Sequence, residues 1–228
     1  MLKERLEGIL ARIESVTLRC GRRPEDVRLV AVAKTKPADL VRQAIVAGAQ
    51  IIGENYVQEA REKFETLIDL PVQWHFIGHL QTNKAKYAVR MFDLIHTVDS
   101  FKLALELDRQ AYKAAKIQNI LVQVNISGET TKSGVSDEET IALLKQIGAL
   151  KNLRVRGLMT MPPFFDAPEK ARPYFAQLRT LSQRIGQQHL TNIVMEELSM
   201  GMTGDFEVAI EEGATLVRIG TAIFGDRP

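Results

Sequence analysis

Lys34 closes an apolar run, Arg28-Leu29-Val30-Ala31-Val32-Ala33, and a lysine amine in that place suits Schiff-base chemistry. In a strand it shares parity with Val30 and Val32, so all three point to one side. An ammonium among apolar strands is desolvated; its pKa falls and the amine is freed to attack an aldehyde. The bland alternatives are a lysine snorkelling to a rim or paired with Glu54. Two further segments could hold an anion. Ser199-Met200-Gly201-Met202-Thr203-Gly204-Asp205 leaves an apolar run and opens a helix, offering backbone N–H groups and hydroxyls to a phosphate. Gly220-Thr221 offers the same groups. Without a ligand, Thr203 or Ser199 is simply a helix cap. Arg218 alternates with Leu216 and Gly220, and a charge in so apolar a run needs a partner. That partner is either a buried carboxylate such as Glu197 or a ligand acceptor.

These residues need a scaffold that gathers them. Eight short apolar runs recur, near residues 28–34, 50–53, 72–77, 93–98, 119–126, 154–159, 193–199 and 215–219, with helical segments between them, for example 101–115, 137–150 and 168–186. Leu2, Leu6, Ile9, Leu10, Ile13 and Val16 keep helical spacing, which predicts a leading amphipathic helix to about Cys20, stopped by Gly21. Strand then helix, eight times, reads as a single (β/α)8 TIM barrel with an extra N-terminal helix. An open doubly wound sheet is the competing fold, but no G-x-G-x-x-G follows the first run. In the barrel, Lys34, Glu54-Asn55-Tyr56, His75, Gly78, His79, Asn125, Met159, the 199–203 segment and Arg218-Gly220-Thr221 all fall at the carboxyl ends of strands, where such barrels place their chemistry.

The 228 residues suit one domain, 1–228. Lysine plus arginine number 30 against 28 aspartate plus glutamate, so no strong field favours nucleic acid or anionic lipid. Cys20 is the only cysteine, which excludes an intrachain disulfide and a cysteine-rich metal site. Neither a secretory signal nor a bilayer-spanning run is present, so a cytoplasmic protein is expected. Nothing in the surface pattern demands a large interface, and the expected state is a monomer.

Five segments carry a resemblance: Ala31-Val32-Ala33-Lys34-Thr35-Lys36-Pro37, Gly53-Glu54-Asn55-Tyr56-Val57-Gln58-Glu59, Trp74-His75-Phe76-Ile77-Gly78-His79-Leu80-Gln81, Leu198-Ser199-Met200-Gly201-Met202 and Val217-Arg218-Ile219-Gly220-Thr221-Ala222-Ile223-Phe224-Gly225. Together they resemble the pyridoxal phosphate homeostasis protein family, in order and over nearly the whole chain. One departure is Thr203-Gly204 before Asp205, where a serine and a polar residue are expected; threonine keeps the hydroxyl. The resemblance implies a barrel of the alanine racemase type, PLP fold type III, with pyridoxal 5′-phosphate (PLP) as an internal aldimine on Lys34. By position, Arg218 faces the pyridine nitrogen, while Ser199, Gly201, Gly220 and Thr221 hold the phosphate and Met200 counts among the cofactor-binding residues. Asn55 neighbours the phenolic oxygen, Met159 packs on the ring, and His79 belongs to the pattern without an assigned role.

Arginine at the pyridine nitrogen donates a hydrogen bond and leaves that nitrogen unprotonated, which makes the ring a poorer electron sink. Racemases of related fold add an acid/base group from a second domain, and the sequence read to Gly225-Asp226-Arg227-Pro228 supplies no such partner. The expected function is therefore to buffer or deliver PLP, with no catalytic residue assigned and with PLP-requiring apo-enzymes as transient partners. A weak amino-acid racemase with Lys34 as sole base is the alternative, and a cofactor-free Schiff-base aldolase a third. Lys132, in the loop after the fifth strand, could accept the aldehyde during release; a solvated loop lysine is the plain reading.

Overall fold

Parallel neighbours need a crossover between them, and the chain supplies a helix each time. The computed structural model describes residues 1–129 and 132–225. Among them the order is α1 (Leu2–Arg19), β1 (Arg28–Val32), α2 (Ala38–Val46), β2 (Ile51–Glu54), α3 (Val57–Thr66), β3 (Gln73–Phe76), α4 (Ala85–Met91), β4 (Leu94–Val98), α5 (Phe101–Lys113), β5 (Gln118–Gln123), α6 (Asp137–Ile147), β6 (Leu153–Met159), α7 (Arg172–Gly186), β7 (Ile193–Ser199), α8 (Phe206–Glu211), β8 (Leu216–Ile219) and α9 (Thr221–Phe224). The strands close into a barrel in sequence order, β8 returning parallel to β1. This is the (β/α)8 fold expected from the alternation.

Strand parity sorts the core. Val30, Ile51, Ile77, Leu94, Leu121, Met159 and Leu216 pack against one another inside the barrel, with Val32 at their edge. Their chain neighbours, such as Ala31, Ile52, Phe76, Ile95 and Ile120, face the helices in the larger outer layer. Each such side chain taken fully out of water contributes about 1.5–3 kcal/mol. α1 buries Leu6, Ile9, Ile13 and Val16 and packs on α2, α8 and α9, covering the outer face where the barrel closes. It ends at Cys20, followed by Gly21 at φ 69°. No described helix is long and apolar enough to cross a membrane.

Several boundaries differ from the sequence expectation, three of them at the first strand, the fifth strand and the helix before β7. The first strand stops at Val32 rather than reaching Lys34: Ala33 still donates to Gly53 O, but the chain then turns through Thr35 at φ 62°. The fifth stops at Gln123, because Val124 and Asn125 pair instead with Val135 of the following loop. The segment from Pro168 begins as a 3-10 turn and is α-helical only from Arg172. Thr130 and Thr131 of the 128–134 loop, and Asp226-Arg227-Pro228, lie outside the described residues.

Candidate functional site

Inward parity brings polar residues as well as apolar ones into the barrel, and at its carboxyl end they form a chain of hydrogen bonds. Arg218, only 4 % exposed, donates through one terminal nitrogen to Ser199 Oγ at 2.5 Å and through the other to Thr160 O at 3.0 Å. Ser199 Oγ lies 2.9 Å from His96 Nδ1, and His96 Nε2 lies 3.0 Å from His75 Nδ1. Arginine can only donate, so Ser199 Oγ accepts from it. The arrangement that leaves no hydroxyl proton stranded has Ser199 donating to His96 Nδ1, and His96 donating from Nε2 to His75 Nδ1. Both rings must then be neutral. Burial enforces this: it drives His75 down to about 3, with the Arg28 charge adding to the effect. His96 is pushed down by burial first, then by His75 and Arg218. Burial also lowers Arg218, to about 10, which still leaves it charged at neutral pH.

Glu197 is not the partner of Arg218. It binds the Arg28 guanidinium and accepts from Thr215 Oγ1 at 2.6 Å, one step lower in the barrel. Glu54 Oε1 pairs with Lys63 Nζ at 2.7 Å. Lys34 itself is half-buried in the turn after β1, as is Lys36. The β1–β8 register sets Val30 beside Arg218 and so Val32 beside Gly220, two residues short of Lys34.

The loop after β7 is tied to β8 by Arg218 N–H donating to Gly201 O at 3.0 Å. Thr203 Oγ1 and Thr221 Oγ1, both exposed, lie 3.4 Å apart across the two loops. Gly201 is required here, since it sits at φ 91° and a Cβ on it would come within 2.6 Å of Ala209 Cβ. Met202 N–H donates to Asp205 Oδ1 at 2.6 Å, which braces the loop. Burial raises the Asp205 carboxyl, against the hydrogen bond from Met202 and the Arg218 charge.

Ser199 and Met200, two of the expected cofactor-binding residues, have fully buried side chains. The Ser199 hydroxyl is fully buried and spent on Arg218 and His96, so it stands behind the arginine and not on the open face. Met200 has the opposite parity and buries its side chain in the outer layer, leaving only its backbone near the mouth. Met159 is fully buried at the top of the inner cluster, with Ser199 beside it in register. Met161, in the loop beyond, is 41 % exposed. Asn55 is half-buried, and its Oδ1 is buried with no hydrogen-bond partner among the described residues. Gly78 lets this happen: a Cβ there would lie 2.1 Å from Asn55 O. His79 is exposed and lines, with Asn55, Tyr56, Gln81 and Lys84, a cleft of about 390 Å³. Asn125 donates to Glu129 O and Lys132 O, folding its loop back, and Lys132 Nζ lies 3.3 Å from Glu129 Oε1.

The sequence reading missed His96, Thr160, Glu59 and Lys63. His96 sits mid-strand, two residues from Leu94 and with its parity, a polar residue in an otherwise apolar run; that was a signal. Lys63 falls on the buried stripe of α3 with Val57 and Ala60, which helical spacing also reveals.

A buried arginine on β8, a lysine in the turn after β1 and a pair of hydroxyl-bearing turns share the carboxyl end of the barrel. The family described as alanine racemase, N-terminal domain, matches residues 6–228. Alanine racemase of Clostridium difficile shares the fold, with a TM-score of 0.77 at 13 % identity over 99 % of this chain and 57 % of that one. More specifically, the chain is 46 % identical to the pyridoxal phosphate homeostasis protein of Aquifex aeolicus, over 98 % of this chain and 97 % of the relative. The Escherichia coli K12 protein of that name is 40 % identical, over 97 % and 95 %. PipY of Synechococcus elongatus, solved with PLP bound, superposes with a TM-score of 0.85 at 39 % identity, over 99 % of this chain and 100 % of PipY. The chain belongs to the pyridoxal phosphate homeostasis protein family.

Proposed function

We propose that this protein holds PLP reversibly at the barrel mouth and hands it on to PLP-requiring apo-enzymes, buffering the free aldehyde. One observation carries the reading: a buried arginine and two turns linked through Thr203 and Thr221 share the carboxyl end of the barrel with the turn that bears Lys34, and the relative PipY was solved with PLP bound. When bound, the cofactor supplies an aldehyde that combines reversibly with amines. The residues present fit such a group. Thr203, Thr221, Gly220 and the backbone around Gly201 take the phosphate. Lys34 supplies the amine. Asn55, with a buried amide oxygen lacking a partner among the described residues and an NH₂ beside it, has hydrogen-bonding capacity left for the ring's edge.

Arg218 donates towards the pyridine nitrogen. It stays charged at neutral pH, so it has no proton to give up, and a ring nitrogen held there would remain unprotonated. Ser199 and Thr160 O fix the plane of its guanidinium, and the neutral histidines behind Ser199 hold the hydroxyl in turn. These residues bind and orient; none of them is poised to move a proton to or from a substrate carbon. The protein acts as a monomer, and Lys132, in the loop after β5, would offer a second amine to which the aldehyde could exchange from Lys34 as that amine is released. The test is borohydride reduction of the PLP-loaded protein followed by peptide mapping. A single cofactor adduct at Lys34 is expected; an adduct elsewhere, or rapid racemisation of amino acids by the loaded protein, contradicts the reading.

A further inference from the structure

Both chain neighbours of Lys34 are tied to one helix. Lys63 Nζ donates to Ala33 O at 2.7 Å, and Thr35 N–H donates to Glu59 Oε2 at 2.9 Å. Glu59 and Lys63 lie four residues apart on α3, with their charged ends 3.8 Å apart. Beneath them, fully buried Glu54 receives Lys63 Nζ at 2.7 Å through Oε1, while Oε2 has no hydrogen-bond partner among the described residues.

A buried ion pair is weak evidence for stability, because desolvation offsets its attraction. Its position is more informative. Only a long cation reaches across the helix–strand layer to Ala33 O, which also accepts from Lys36 N–H at 3.1 Å within the turn. Thr35, a β-branched residue, sits at φ 62°. Such a conformation costs on the order of 1–3 kcal/mol and persists where the surroundings over-determine it. The bonds at residues 33 and 35 are that determination. Burial holds the Glu54 carboxyl up at about 7 against the pull of Lys63, consistent with a site arranged for geometry at an electrostatic cost.

We infer that Glu54, Glu59 and Lys63 form a clasp on the turn 33–36 and are positioning residues that fix the reach of the Lys34 amine toward the phosphate-holding turns. This rests on the PLP reading above. PLP is captured at two points: the phosphate by the loops at 203 and 221, and the aldehyde by Lys34, whose nitrogen adds to the carbonyl carbon as water leaves. A fixed span between the points raises the effective concentration of amine at aldehyde. Pyridoxal, which lacks the phosphate, draws no such advantage and reports the intrinsic reactivity of the amine.

The test titrates purified, cofactor-free protein with PLP and with pyridoxal, following the visible absorbance of the C=N bond. Glu59→Ala leaves the buried Glu54–Lys63 pair intact, and Lys63→Met removes it. Each is expected to weaken PLP binding about tenfold while changing pyridoxal binding less than about twofold. Lys63→Arg and Glu59→Gln, which keep a donor for Ala33 O and an acceptor for Thr35 N–H, should recover most of the loss. Unchanged PLP binding in Glu59→Ala, or equal weakening for both aldehydes without rescue, overturns the clasp. Failure of the unmutated protein to take up PLP at Lys34 is a separate result, and overturns the parent reading with it.

Discussion

At the residue scale, the site depends on an arginine that water cannot reach. Its two acceptors, Ser199 Oγ and Thr160 O, stand in for solvent, and a chain of two neutral histidines completes the set. Ser199→Ala removes the shared hydroxyl and strands two buried groups. It should destabilise the fold by about 1–3 kcal/mol, as read from urea denaturation midpoints. It should also weaken PLP binding, whereas Ser199→Thr, which keeps the hydroxyl, should do neither to the same degree. The histidines give the protein an acid sensitivity. Their folded-state pKa values lie below the ordinary 6.5, so the unfolded chain binds protons first as pH falls. Stability is complete above about 6.5 and is lost toward the His75 value of about 3, at up to about 1.4 kcal/mol per pH unit for each ring. Urea unfolding at three pH values between about 7.5 and 5 should show this slope, and His96→Gln should flatten it; an equal slope in both proteins contradicts the assignment.

At the element scale, short loops and close backbone approaches shape the mouth. Gly201→Ala forces a Cβ onto Ala209 and a side chain into φ 91°, so it should displace the 201–205 loop. Inorganic phosphate should then compete less well with PLP, a change seen by titration even where the fold survives; unaltered competition would remove that loop from the phosphate site. The strand–helix alternation and the inward parity of Val30, Arg218 and Ser199 were readable in the sequence, because a period of two and a burst of apolar residues are local properties. Partnerships were not. Arg218 with Ser199, Glu54 with Lys63, and Glu197 with Arg28 are contacts between separate strands or a strand and a helix, and a lone chain offers several carboxylates for each cation. The fate of Ser199 follows the same logic. Its place at a strand end pointed to the mouth, but a buried arginine one strand away claimed the hydroxyl.

At the scale of the whole molecule, a barrel closed by its own strands leaves no sheet edge to pair with another chain. Sedimentation should give one species near 25.6 kDa; a species of twice that mass would overturn the monomer. Delivery asks more than binding, since the cofactor must leave. Lys132→Ala should slow transfer to an apo-enzyme severalfold while leaving the affinity for PLP close to that of the unmutated protein, and an unchanged rate would end its role. The most direct measurement concerns Lys34. Lys34→Ala, titrated with PLP and scanned from about 300 to 450 nm, should lose the visible band and most of the affinity, retaining only phosphate-driven binding. The same band and the same affinity in that variant would contradict the account.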